Sequence, residues 1–339
     1  MAGHANFRAY GLRIAADRAI PGLIPIPATS AVDIQIRLGS MPPDVRACAA
    51  GPYASRQGGN RHSHGRPEAI SWTGEGGQGY RLRYDDGTTF VIGADGGQVW
   101  ATWPATMSLD DAVYYLMGSV LTFVLRLRGT SCLHGSAFST HGRVVALLGA
   151  SGAGKSTTAA AFAERGFAVL TDDVLALEEG CGHVLAHPGY PRLRLWPDAA
   201  SFLYGGPVEL PRLTPNWDKR YIDLLGDGYA FERQVLPLSA IYVLDERRDG
   251  LTSPLVESLT RSAALLAILR NVRGDVHVDK EGHRREFDLL GRIVQSVPIR
   301  RVTPCTASNS LSMLCDAILG DLHADFRPAD IGRMQICTI

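Results

Sequence analysis

The sequence predicts an α/β fold with a smaller β-rich region in front of it. Three patterns carry that expectation. From "SCLHGSAFSTHGRVVALLG" onward, short apolar runs alternate with helical ones, as in layers packed around a sheet. Residues 1–106 instead read as strands and loops. Between the two regions, "SLDDAVYYLMGSVLTFVLRLRG" switches to a helical period.

In the front region, "YRLRYDDGTTFVI" alternates apolar and polar residues on both sides of Asp86-Gly87, which predicts a hairpin. The segment "GPYASRQGGNRHSHGRPEA" before it is polar and Gly-rich and predicts a loop. His62 and His64 there have no acidic or thiol companion, so they read as solvated loop residues rather than a metal pair. Ser108 with Asp111 offers a capping box, and Gly129 is a stop signal. The expected organisation is a β-rich accessory domain over 1–106, a bridging helix over 107–129, an α/β domain over 130–322 and a tail over 323–339.

Composition narrows the function. A chain of 339 residues that is 45% apolar can build two cores. Lysine plus arginine equals aspartate plus glutamate, 34 each, so no charge excess argues for nucleic acid or a membrane surface as partner. The longest apolar stretch, Ala112 to Leu125, is about 14 residues, too short for a spanning helix. The start of the chain lacks a basic segment followed by an apolar run. Cys48, Cys132, Cys181, Cys305, Cys315 and Cys337 are scattered without zinc-type spacing and read as reduced thiols. The expectation is a cytoplasmic protein, with a homo-oligomer neither required nor excluded.

The sharpest motif is "GASGAGKST": Gly149, Ala150, Ser151, Gly152, Ala153, Gly154, Lys155, Ser156 and Thr157. It completes the pattern G-x-x-x-x-G-K-[ST] and lies between an apolar strand, "VVALLG", and an Ala-rich helix, "KSTTAAAFAERG". The glycines let backbone N–H groups turn toward phosphate oxygens, and the helix start adds its positive end. Lys155 is placed to reach the β- and γ-phosphates and Ser156 to ligate Mg²⁺. These residues predict bound ATP and Mg²⁺.

Seventeen residues after Lys155, the strand "FAVL" runs through threonine into Asp172-Asp173. Ligands in such sheets lie beyond the carboxyl ends of strands, so the pair is expected near the nucleotide. One carboxylate can hold Mg²⁺ while the other accepts a proton or orients a nucleophile. Asp245, ending "IYVLD", competes as the metal carboxylate, although the charges after it resemble a solvated edge. No "LSGGQ" signature and no "NKxD" guanine-reading element occurs. Transfer to a hydroxyl is therefore favoured over a transporter ATPase or a regulatory GTPase, and ATP over GTP.

The order of His134-Gly135, then "GASGAGKST" fifteen residues after the histidine, then "ERGFAVLTDD" resembles the C-terminal domain of HPr kinase/phosphorylase. The nucleotide fold of that family is related to phosphoenolpyruvate carboxykinase, so the resemblance implies a P-loop kinase domain. It covers residues 130–200 well and extends more weakly to about 320. "HPGYPRLRLWPDA" and the β-rich front look like the HPr-kinase-related proteins of lasso peptide biosynthesis. There the implied partner is a precursor peptide phosphorylated on its C-terminal Ser. Carried onto this chain, the resemblance places Lys155 and Ser156 on the phosphates and Mg²⁺, Asp172 at the hydroxyl-activating position, Asp173 on Mg²⁺ and His134 near the active site. The family's E-x-R-G signature is replaced by "PRLRLWPD", with no Glu, so phosphorylase activity is not expected. Arg192 and Arg194 instead suit phosphate or a peptide carboxylate, and Lys219 with Arg220 in "NWDKRYID" offers a second anion site.

The resulting expectation is an ATP- and Mg²⁺-dependent kinase acting on a Ser or Thr hydroxyl of a peptide. The alternatives are a small-molecule kinase on the same core and a nucleotide-sensing module that transfers nothing.

Overall fold

In the computed structural model, Asp86 and Gly87 occupy a tight turn between antiparallel strands. The structure describes residues 5–28, 31–50, 55–57, 67–74, 77–226, 228–273, 280–307 and 309–325. Asp86 Oδ1 accepts the Thr88 N–H at 2.7 Å, and Gly87 has φ +90°, a left-handed conformation that glycine adopts without Cβ strain. His62 and His64 lie outside the described residues.

Two compact units cluster separately. The first comprises Met1–Thr130 with Arg212–Lys219 and Gly274–His283. Its strands are β1 (Ala5–Ala9), β2 (Leu12–Ala16), β3 (Ile34–Leu38), β4 (Ser55–Gln57), β5 (Glu68–Gly74), β6 (Gly77–Arg83), β7 (Thr89–Gly93) and β8 (Gln98–Thr102), with helix α1 (Pro43–Ala50) after β3. They form one sheet in the order β1-β2-β3-β8-β7-β6-β5-β4. Register follows the hairpin, with Arg83 opposite Thr89 and Leu82 opposite Phe90. The alternation of β3, with Ile34, Ile36 and Leu38 buried between exposed Gln35 and Arg37, is that of a sheet with one covered face.

The helical run after it is one continuous rod in three parts: α2 (Leu109–Tyr115), a π-helical turn (Leu116–Val120) and α3 (Leu121–Leu127). Its capping box is formed, with the Ser108 N–H donating to Asp111 Oδ2 at 2.8 Å and the Asp111 N–H to Ser108 Oγ at 3.2 Å. The helix is apolar nearly all round because it is buried nearly all round, including Leu116, Met117, Val120, Leu121, Phe123 and Val124. It clusters with the first unit.

The second unit comprises Ser131–Pro211, Arg220–Arg273 and Arg284–Ile339. It opens with β9 (Ser131–His134), β10 (Ser136–Thr140), β11 (Arg143–Gly149), helix α4 (Lys155–Glu164), β12 (Ala168–Thr171), β13 (Val174–Gly180), β14 (His183–Ala186), β15 (Arg192–Leu195) and helix α5 (Pro197–Tyr204). The Leu236–Leu244 strand runs parallel to β11, completing the order β12-β10-β11-(Leu236–Leu244)-β14-β13-β9. The Ile299–Thr303 strand pairs parallel with Leu236–Leu244 and antiparallel with Leu255–Ser258. With its helices and several sheets, the chain is a mixed α/β protein.

The run "VVALL" in β11 is apolar without alternation because both faces of the strand are covered. Val145 and Leu147 enter a core with α4, α5 and the Ser310–Asp325 helix, while Val144, Ala146 and Leu148 enter one with the Arg261–Leu269 helix and Leu289, Leu290 and Ile293. Small residues Ala159 to Ala161 let α4 lie close to the sheet, and Phe162 of α4 stacks on Phe138 of β10 with centroids 3.9 Å apart. The tail expected from residue 323 starts inside the Ser310–Asp325 helix, and residues 326–339 lie outside the description.

Phe162→Ala is expected to cost about 3–5 kcal/mol, since it empties a fully buried ring site that neighbouring alanines cannot fill. Denaturant unfolding checks this, and a loss under 1 kcal/mol would mean that the stacked pair does not hold α4 to the sheet.

Candidate functional site

The loop that begins at Gly149 is set by the strand beside it. Gly149 pairs with Leu244 across the parallel ladder, and a Cβ at Gly149 would stand 2.6 Å from the Leu244 carbonyl oxygen, so no side chain fits. The Gly149 N–H donates to Asn271 Oδ1 at 3.2 Å. Ala150, Ser151 and Gly152 are exposed, Ala153 and Gly154 partly so, and Gly154, at φ +93°, turns the chain into α4. Lys155 is buried, and its Nζ curls back to donate to the carbonyls of Gly149 at 2.8 Å and Ala150 at 2.9 Å. Its ammonium thus sits over the loop. Thr157 is half-buried on the first turn of α4.

Asp172 follows β12 and is 1% exposed. Its carboxylate is met by three donors. Oδ1 accepts from Ser136 Oγ at 2.7 Å and Ser156 Oγ at 2.8 Å, and Oδ2 accepts the Arg194 N–H at 2.9 Å. Burial is tolerable for a carboxylate satisfied in this way. The two hard oxygens of Ser156 and Asp172 stand together at the head of α4, a donor set that suits Mg²⁺, which takes few protein oxygens alongside phosphates and water.

Asp173 has φ +80°, unusual for a residue other than glycine, and turns its carboxylate the other way. Arg194 Nη1 meets Asp173 Oδ2 at 3.1 Å, Arg273 Nη1 contacts Oδ1, and His134 Nδ1 is 3.2 Å from Oδ1. Burial works to raise the Asp173 carboxyl, but Arg273, His134 and Arg194 outweigh it and hold it well below the ordinary carboxylate range. Arg273 Nη1 also lies 2.7 Å from His134 Nδ1.

The two aspartates meet different partners. Asp172, not Asp173, stands against the Ser156 hydroxyl, because Asp173 is drawn into the arginine cluster. Asp245 is engaged elsewhere. It lies beyond the Leu236–Leu244 strand, half exposed, 3.7 Å from Arg301. Arg192 and Arg194 share one face of β15, since the alternate residues Leu193 and Leu195 enter the core. Lys219 clusters with the first unit, whereas Arg220 in the second donates from Nη1 to the Leu210 carbonyl at 3.3 Å. Ser136, Asn271 and Arg273 are site residues that sequence reading misses. "RNVRG" carries no local signature, and Arg273 reaches Asp173 across 100 positions of chain.

Asp173→Asn should lower stability at pH 7 by about 3 kcal/mol, because it leaves two clustered guanidiniums uncompensated. The folded carboxyl ionises below its ordinary value, so its contribution is complete above about pH 4 and fades only as pH falls toward the folded value. Denaturant melts of both proteins from pH 8 to pH 3 check this. A difference already shrinking at pH 6 would contradict it.

No family model and no curated protein matches the chain. Among solved structures it is similar to the HPr(Ser) kinase/phosphatase from Coxiella burnetii, at 12% identity, over 57% of this chain and 99% of that one, with a TM-score of 0.31.

Proposed function

We propose that this chain is an ATP- and Mg²⁺-dependent phosphotransferase that phosphorylates a Ser or Thr hydroxyl of a peptide. One observation carries the reading: a G-x-x-x-x-G-K-[ST] loop whose Ser156 hydroxyl is hydrogen-bonded to a buried strand-end carboxylate, Asp172. The lasso precursor peptide, with its C-terminal Ser, is the acceptor class favoured by the sequence resemblance. In this reading the protein is cytoplasmic.

Ser156 and Asp172 would hold the metal ion, and Lys155, released from the loop carbonyls, would meet the β- and γ-phosphates. The bound metal would neutralise charge that develops on the phosphoryl oxygens. In the transfer, the acceptor oxygen would form the new bond to the γ-phosphorus while the bond to the bridging oxygen breaks, leaving its electron pair on ADP, and the hydroxyl proton would pass to solvent water. A carboxylate held as acidic as Asp173 is a weak base, so its part is to hold Arg194 and Arg273 in place and to align a hydroxyl by accepting its hydrogen bond. Loose phosphoryl transfer asks for that alignment more than for a strong base.

The front unit supports a peptide acceptor, since among the described residues its sheet ends at edge strand β4, and an extended chain can add to a sheet edge. A small metabolite has no use for such an edge. Lys219 and Arg220 have no assigned part in the transfer.

Intact mass spectrometry of a lasso precursor peptide after incubation with the full chain, ATP and Mg²⁺ tests the reading. The expected result is a gain of one phosphate group on a seryl side chain, absent with Lys155→Ala. Nucleotide binding without any phosphorylated peptide would contradict it and favour a small-molecule acceptor or a sensor.

A further inference from the structure

Arg192 is 9% exposed, and its Nε is buried without a hydrogen-bond partner. Its guanidinium lies between two aromatic rings, with Cζ 4.1 Å from the Tyr221 centroid and 5.6 Å from that of Tyr190. Among the described residues no carboxylate pairs with it. Asp223, its partner across the strand pair, turns an oxygen to the Leu225 N–H at 3.0 Å instead. Ring faces offset part of the cost of burying a guanidinium, but they leave its in-plane donors unused.

The surroundings add to the imbalance. Arg194 Cζ is 5.7 Å from the same Tyr190 ring, so Arg192 stands next to the residue whose side chain holds Asp173 and whose N–H holds Asp172. Asp173 is already shared by Arg194 and Arg273, and Asp172 already accepts from two hydroxyls and an N–H. The group therefore carries more fixed positive than negative charge. An oxyanion that reaches the Nη groups of Arg192 would meet in-plane donors that the rings leave unused.

We propose that Arg192, packed against Tyr190 and Tyr221 and beside Arg194, is a subsite for a carboxylate or phosphate group of the acceptor, separate from the phosphate loop. Its assignment to the acceptor rests on the phosphotransferase reading; the anion site itself does not. The tyrosines fix the plane of the guanidinium, so the site selects planar or tetrahedral oxyanions over a lone charge.

Titration calorimetry of the full chain with inorganic phosphate, and separately with Mg²⁺ and a non-hydrolysable ATP analogue, tests this. Lys155→Ala should lose affinity for the analogue yet keep a phosphate site. Arg192→Gln should bind phosphate about tenfold or more weakly while keeping its affinity for the analogue. Should Arg192→Gln fail to fold, Arg192→Lys carries the test, since it keeps the charge and loses the fork; unchanged phosphate affinity there overturns the site. Phosphate binding absent from the unaltered chain, or lost with Lys155→Ala alone, also overturns it. Equal losses for phosphate and the analogue in Arg192→Gln would assign the subsite to the nucleotide and overturn its assignment to the acceptor. Failure of the unaltered chain to bind the analogue would remove the phosphotransferase reading while leaving the phosphate result to judge the site.

Discussion

One buried carboxylate ties together the parts of the chain on which the candidate site depends. Asp172 receives the hydroxyl of Ser136 from β10, the hydroxyl of Ser156 from the head of α4 and the backbone N–H of Arg194 from β15. Each partner comes from a different segment, at separations of 36, 16 and 22 residues. A carboxylate this deep is stable only while its oxygens are met, so the strand end, the loop helix and the arginine strand are held in register by the need to satisfy it.

The next residue answers the opposite problem. Asp173 stands where Arg194, Arg273 and His134 converge, and its left-handed backbone turns its side chain away from that of Asp172. Adjacent aspartates thereby avoid competing for the same donors and avoid the mutual repulsion of two carboxylates in one pocket. The charge they distribute differs in kind: hydroxyls and an N–H around Asp172, full cations around Asp173. That asymmetry separates a residue suited to share a metal ion from one suited to anchor arginines.

Much of this was legible in the sequence where the physics is local. The loop "GASGAGKST", the capping box of Ser108 and Asp111 and the Asp86-Gly87 turn are short patterns whose geometry follows from a few neighbouring residues. The unbroken apolar run of β11 announced a strand, and its burial on two faces explains why it lacks alternation. The surroundings of each member of the acidic pair were not legible, because they depend on which long-range donors reach each carboxylate. Arg273 and Asn271 come from a turn after the Arg261–Leu269 helix, and nothing in "RNVRG" marks them. Arg192 was visible as a charge but not as a buried one, since β15 alternates arginine and leucine and only packing decides which faces are covered.

The central claim is that Ser156 and Asp172 act as one unit in holding metal and phosphate, and a double-mutant cycle of Ser156→Ala and Asp172→Asn on Mg²⁺·ATP affinity tests it most directly. Affinity for metal-free ATP serves as the reference for loop integrity. The account predicts that either change alone abolishes most of the gain given by Mg²⁺ and that the pair adds little more, a coupling of about 1 kcal/mol or above. Strictly additive losses, or a Mg²⁺ gain untouched by Asp172→Asn, would contradict it.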